Sequence, residues 1–452
     1  MLLSQFPNRK CRPPNRKCRP ANRKCRHIVV VMTTVPAEET LDALVTVLDE
    51  IRLARSRSRS ELMARTGLSR AVVAQRVGEL IDRGLVNEGG VGASTGGRPP
   101  RQLTFHSEAG HVLVADLGAT SIDVALTTLD GRIIAHRDEP ADIADGPQRC
   151  LSRVEELFTE LLGTARGLPG ELWGIGVGVP GPVEFRSGRP VSPPIMPGWD
   201  GYPVRRHLAR AYKVPVWVDN DVNLLALGEW RSGAAMGHDN VVVVKVGTGI
   251  GAGIISDGRL HRGAQGSAGD VGHIQVVDDA DVICRCGNIG CLEAVAGGAA
   301  LARDAEAAAR DGRSPRLLSA LDQHGRVTAE DVARGASFGD PVCVLLLQAA
   351  GRRIGSTLAS VVNFFNPSLI IIGGGVVLSG DQLLAAVRET VYRRSLPLAT
   401  RDLLIQRSSL GGLAGVIGAS AMVVDQLLAR DYIASWMAAG GPSGLPEIAL
   451  AG

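Results

Sequence analysis

No apolar run in this chain approaches the roughly eighteen residues that a membrane span needs, and HIVVVMTTV at 27–35 is too short for the core of a secretory leader. The chain is therefore expected in the cytoplasm, with no membrane partner. The opening repeat, PNRKCRP written twice and then once with alanine for its leading proline, has no apolar seam, and proline interrupts each copy, which excludes a coiled coil. Residues 1–26 hold nine Lys/Arg and no acid, whereas the chain from 106 onward holds 30 Lys/Arg against 37 Asp/Glu. A body of that sign gains nothing by lying along a polyanion, so nucleic-acid contact is expected from the first quarter. A disulfide framework is also lacking. Of the eight cysteines three sit in the repeat, two are isolated, and Cys284, Cys286 and Cys291 cluster in a way that suggests metal.

What is present is a long chain with 45% hydrophobic residues, enough for two or three domains. The repeat itself can bury no core, and its identical copies look like duplicated nucleotides, so residues 1–31 are expected to be an inert tail or to precede the true start. From there Leu41, Leu44, Val45, Leu48 and Ile51 make one helical stripe, predicting a first helix over about 38–54. Ser58 and Glu61 make a capping box for a short second helix that stops at Gly67. Ser69 then caps a third, whose buried face is Val73, Val77, Leu80 and Ile81. Its opposite face carries Arg70, Ala71, Ala74 and Gln75, small residues that permit close approach to base edges beside side chains able to bond guanine and adenine. The following strand, glycine-rich turn and strand read as a wing, with Arg98 of GGRPP placed to enter a narrow minor groove.

In the body, Asp116, Gly118 and Thr120 occupy the turn of VLVADLGATSIDVAL, a carboxylate, a glycine and a hydroxyl that suit a Mg-bound nucleotide phosphate. Gly247, Thr248 and Gly249 repeat the design, and LIIIGGGVV adds a third glycine turn through Gly374 and Gly375. Three such turns, each after a buried strand, predict a two-lobed nucleotide fold with a central cleft. Asp219, Asn220, Asp221 and Asn223 lead a strand into a helix there. Taken alone, that run suits an Asx cap; beside phosphate loops, it puts a carboxylate where a hydroxyl is deprotonated. His273, Cys284, Cys286 and Cys291 form one imidazole and three thiolates, the ligand set of a closed, structural tetrahedral Zn²⁺ site. Asp270 and Glu293 flank that set and suit sugar hydroxyls.

With these motifs in order, from STGGRPP through DLGAT, GVGVPGPVE, NDVN, GTGIG, GDVGH, CRCGNIGCLE and GGG, the chain resembles the ROK family of repressors and sugar kinases over residues 36–430. The resemblance implies an α/β, actin-like, hexokinase-type ATPase fold of two RNase H-like lobes behind a winged helix-turn-helix, and a homodimer or homotetramer. It implies that Asn220 and Asp221 contact sugar, with Asp221 the base in kinases. Asp270, Glu293 and His273 would line the same site, His273 also binding zinc. The expected divisions are a winged helix over 32–106, a body over 107–431 with lobes at 107–233 and 234–415 and a closing helix at 416–431, and a flexible tail over 432–452. Two departures weaken the expectation of catalysis: Ala119 stands between Gly118 and Thr120 where the kinases have a second glycine, and Asp270 stands where they have glutamate. The expected function is a DNA-binding regulator, a repressor of carbohydrate-metabolism genes released from its operator by a sugar or sugar phosphate. The rival is an ATP- and Mg²⁺-dependent sugar kinase with an accessory DNA module.

Overall fold

Burial of the predicted stripe decides the first helix. A computed structural model describes residues 38–91, 101–165, 167, 169–378, 381–439 and 441–442; the basic repeat and Arg98 lie outside them. Helix α1 (Glu38–Arg52) buries Leu41, Leu44, Leu48 and Ile51, with Val47 taking the fully buried place expected of Val45. It stops two residues short of Ala54, which turns the backbone over at φ 53°. Helix α2 (Arg59–Thr66) is capped by Ser58, whose hydroxyl accepts the Glu61 N–H at 3.3 Å. The return half of the expected capping box is displaced by one residue, because the Glu61 carboxylate accepts the Arg57 N–H at 2.6 Å. Gly67 closes this helix at φ 70°, a left-handed conformation that glycine enters without penalty. Helix α3 (Arg70–Asp82) buries Val73, Val77 and Leu80, with the Arg76 stem beside them and Ile81 only half-buried. Strands β1 (Val86–Val91) and β2 (Arg101–Phe105) pair antiparallel as the wing.

Two sheets of one topology follow. The first contains β3 (Gly110–Leu117), β4 (Ser121–Thr128), β5 (Ile133–Pro140), β6 (Glu171–Val179) and, after the short hairpin β7 (Val183–Glu184) and β8 (Arg189–Pro190), β9 (Val216–Asn220). Their order is β5-β4-β3-β6-β9, antiparallel on one side of β3 and parallel on the other. Helices α4 (Pro147–Thr164) and α5 (Val204–Tyr212) bury one face around Phe158, Leu161 and Leu208. After α6 (Asp221–Ser232) come β10 (Val241–Val246), β11 (Ile250–Ser256) and β12 (Arg259–Leu260), then α7 (Leu292–Ala296), α8 (Gly298–Arg310), α9 (Pro315–His324), α10 (Ala329–Ser337) and α11 (Pro341–Phe365). Strand β13 (Leu369–Gly373), α12 (Gly375–Leu378), α13 (Gln382–Arg394), α14 (Pro397–Thr400) and β14 (Leu404–Arg407) complete the second sheet, ordered β12-β11-β10-β13-β14.

The lobes exchange a helix. Helix α6 leaves the first sheet and packs on β10 and β11, while α15 (Ala414–Leu427) leaves the second and packs on β3 and β6. The two helices cross without side chains between them: a Cβ on Gly418 would lie 1.7 Å from the Leu224 carbonyl oxygen, and one on Gly228 2.0 Å from that of Ala414. A last helix, α16 (Arg430–Ala439), corrects the expectation of a flexible tail from 432. Ile433 and Trp436 are buried, and Trp436 packs tilted against Trp173 and Tyr432 edge-on to Trp217 of the first sheet, with ring centres 5.7 and 5.6 Å apart. Residues 443–452 lie outside the described ones.

Candidate functional site

All three glycine turns open on one cavity of about 350 Å³, lined by Gly118, Ala119, Thr120, Asn220, Asp221, Lys245, Gly247, Thr248, Gly249, Asp270, His273, Glu293, Glu330 and Gly375. The first turn ends β3, the second joins β10 to β11, and the third follows β13. Gly374 sits just behind the cavity wall at φ 96°, and a Cβ there would strike the Val246 carbonyl oxygen at 2.3 Å. The middle turn is held by the start of α8, whose Gly298 and Ala299 N–H groups donate to the carbonyls of Gly247 and Thr248 at 2.8 and 3.1 Å.

The NDVN run divides its labour. Asn220 is the cap of α6: its Oδ1 accepts the Val222 and Asn223 N–H groups, and its amide donates to the Gly181 carbonyl at 3.0 Å. Asp219 is buried and accepts from Asn223 Nδ2 and Arg262 Nε at 2.9 and 2.8 Å. Asp221 opens α6, a favourable place for a carboxylate at the positive end of the helix dipole. Its Oδ2 lies 2.7 Å from the Lys245 ammonium. Asp116 is buried behind them. Burial pushes its carboxyl up to about 7 against the pull of Lys245, and its Oδ1 has no hydrogen-bond partner from the chain.

Opposite, His273 belongs both to a cluster with three cysteines that could hold a metal ion and to the cavity wall beside Asp270. Its Nδ1 is 3.5 Å from Cys284 Sγ, while its Nε2 faces Asp270 at 3.8 Å. Cys286 and Cys291 sulfurs are 3.8 Å apart, and all four donor atoms lie within 4.8 Å of one another. A tetrahedral zinc with ordinary bond lengths sets edges of about 3.8 Å between sulfurs and about 3.5 Å from sulfur to nitrogen, so these two spacings fit it. Burial pushes the Cys291 thiol up to about 12 and also raises that of Cys284, so they need a cation to become thiolates. Nitrogen Nδ1 turned to the cluster leaves Nε2–H for Asp270 and the cavity. Burial raises the Asp270 carboxyl, against the attraction of His273. Glu293 is largely engaged: Oε2 accepts the Ile250 N–H at 3.1 Å, and Oε1 lies 3.3 Å from Arg285. A Cβ on Gly249 would come within 2.1 Å of that Oε2, so the glycine there makes room for Glu293.

Ser69, Arg70, Ala71, Ala74 and Gln75 are all exposed along one side of α3. The winged helix is tied to the body through Asp425 of α15, which pairs with Arg52 of α1 at 2.7 Å and with Arg231 at the far end of α6 at 2.5 Å. The sequence reading missed Lys245, Arg262 and Asp425. Lys245 had a signal, as the single charge in the buried strand VVVVKV. Arg262, stacked 3.8 Å over Phe185 and paired with Asp219, had none.

A winged helix ahead of two like-folded lobes, with phosphate-type turns facing a carboxylate-lined cleft, defines a sugar-kinase-like body joined to a DNA-binding type of module. The chain belongs to the ROK family, whose model matches residues 112–426. It is 33% identical over 371 residues to a xylose repressor of Caldicellulosiruptor bescii, covering 82% of this chain and 92% of that one. To a glucokinase of Halalkalibacterium halodurans it is 33% identical over 311 residues, covering 69% and 94%. A crystal structure of a ROK family transcriptional regulator, homolog of the E. coli MLC protein, superposes with a TM-score of 0.74 at 27% identity, over 92% of this chain and 100% of that one. The actin-like, hexokinase-type fold expected from the motifs is the observed one.

Proposed function

We propose that the chain is a sugar-responsive DNA-binding transcriptional regulator, a cytoplasmic repressor of carbohydrate-metabolism genes that a sugar or sugar phosphate in the cleft releases from its operator. One observation carries this reading: the exposed side of α3 that bears Arg70 and Gln75 shares the chain with the two-lobed body. The 371-residue match to a protein named as a repressor outruns the family region 112–426, whereas the 311-residue match to a glucokinase does not. In this proposal Asp221, Asp270 and His273 meet sugar hydroxyls, with Asn220 and Glu293 holding the walls. Zinc on His273, Cys284, Cys286 and Cys291 fixes the sugar wall and leaves no open coordination position for chemistry. Ligand held by both lobes favours their closed arrangement, and α6 carries the change to Arg231, Asp425 and the winged helix. A homodimer or homotetramer would set two α3 helices at operator half-sites. Gel retardation of operator DNA with and without a panel of monosaccharides tests the proposal; binding that no sugar or sugar phosphate alters would refute it.

The second reading, a sugar kinase, is favoured by Asp221 at the mouth of three glycine turns. A coupled ATP assay separates the two, because robust sugar phosphorylation abolished by Asp221→Asn would establish the enzyme.

A further inference from the structure

Phosphoryl transfer in such a cleft calls for a divalent cation between carboxylates and phosphate oxygens. The residues around Asp116 and Asp221 do not fit one. Asp116 and Asp123 are paired across β3 and β4, so both side chains leave the same face of the sheet, and Asp221 opens α6 beside them. One ammonium serves these carboxylates. Lys245 Nζ is 2.7 Å from Asp221 Oδ2, and its charge acts on Asp116 and Asp123 as well. Its cross-strand neighbours are Gly251 on β11 and Gly373 on β13, so no side chain crowds its stem from either strand. A magnesium ion bound to Asp221 at about 2.0–2.1 Å would compete with Lys245 for that carboxylate and would have to share a few ångström with a fixed positive charge.

We propose that Lys245 is a built-in cation standing where a catalytic metal would stand, so that the cleft takes an unactivated sugar in the absence of Mg·ATP. The inference rests on the cleft being the ligand site of the proposed regulator, and it adds what that site has given up. With Lys245 seated, Asp221 Oδ2 already accepts from an ammonium. The lysine also supplies a fixed positive charge beside these carboxyl groups.

The test removes the charge. Mn²⁺, a paramagnetic stand-in for Mg²⁺, is titrated against zinc-loaded full-length protein and followed by the loss of its free spin-resonance signal. The wild type and Lys245→Arg should take up no Mn²⁺ at this site. Lys245→Met should bind it at least about tenfold more tightly, with melting temperature rising on addition of Mg²⁺. Adding Asp221→Asn to Lys245→Met should abolish both effects. Lys245→Gln, which keeps a donor to Asp221, serves if the methionine variant folds poorly. Equal Mn²⁺ uptake by wild type and the neutral variants would overturn the proposal, as would Mg-dependent binding of a non-hydrolysable ATP analogue that is lost when Lys245 is replaced. The titration needs no DNA, so its result stands apart from operator retardation by the wild type, which tests the regulatory reading.

Discussion

Replacing Asp425 by alanine should disconnect the cleft from the winged helix. This carboxylate lies between two guanidiniums, with Arg52 12% exposed, Arg231 18% and Asp425 itself 28%. Each pair is worth up to about 4 kcal/mol at the effective dielectric of a near-surface site, before desolvation is subtracted. Removing one member of a fully buried set typically costs about 3–5 kcal/mol. Here partial exposure and the Asp49 carboxylate, 2.6 Å from Arg52 Nε, soften the loss, so we expect about 2 kcal/mol of stability. The functional effect should be larger than the structural one. Coupling between two sites typically amounts to about 5–150-fold in affinity, and if most of it passes through this triad, sugar should shift operator affinity of Asp425→Ala by less than about threefold. Operator affinity without sugar should stay within about threefold of wild type, because the exposed side of α3 proposed to read bases is untouched. Fluorescence anisotropy of labelled operator, with and without saturating sugar, measures both quantities. A double-mutant cycle on Arg52→Met and Arg231→Met reports whether the two arginines act through the shared carboxylate. Sugar release undiminished in Asp425→Ala would refute the reasoning and place the coupling elsewhere in the α1, α15 and α16 contacts.

Cys286→Ser should reduce bound zinc measured by atomic emission, lower the melting temperature and abolish the sugar response together; a zinc-poor variant with normal response would separate metal from sugar site. Arg70→Ala should cost about 1–3 kcal/mol at one operator position, read by anisotropy on a set of single-base variants, and a uniform loss on all DNA would reduce Arg70 to a phosphate contact. Asp116 holds its proton up to about 7 in the folded chain, against an ordinary value of 3.8. The folded state therefore binds the extra proton, and this contribution to stability is lost as pH rises from the ordinary carboxylate range through 7. Urea midpoints should fall over about pH 5 to pH 8 in the wild type and fall less in Asp116→Asn; an identical slope would show that Asp116 is ionised in the folded protein.

Much of this was legible along the chain because the signals are local. Glycines after buried strands, the Asn-Asp-Val-Asn cap and the His-Cys-Cys-Cys spacing all act over a few residues, and they come together at one cavity. What escaped depends on partners far apart. Arg52 and Asp425 are 373 residues apart, and neither stands in a pattern that names the other. Helix α16 was illegible for a related reason: its apolar face is short, it is followed by Gly440 and Gly441, and it is stabilised by tryptophans of the first sheet. Glu293 shows a subtler limit. The sequence led to the expectation that it meets sugar hydroxyls, but only the structure shows Ile250 and Arg285 already holding both its oxygens.

Helix α6 has 12 residues, which at about 1.5 Å each makes a rod roughly 18 Å long. Asp221 is at one end and Arg231 near the other, and its middle is pinned to α15 where Gly228 and Gly418 let the backbones touch. Such a rod works as a lever with a fulcrum. A tilt of about 5° around that point moves each end by roughly 0.8 Å, enough to lengthen a charge pair whose atoms are 2.5 Å apart. In the proposed regulator, a ligand that draws Asp221 inward would move the Arg231 end of the same rod the opposite way, against its pair with Asp425. The glycine seam supplies the rigidity: with the backbones in contact there is no soft layer of side chains in which so small a stroke could be lost.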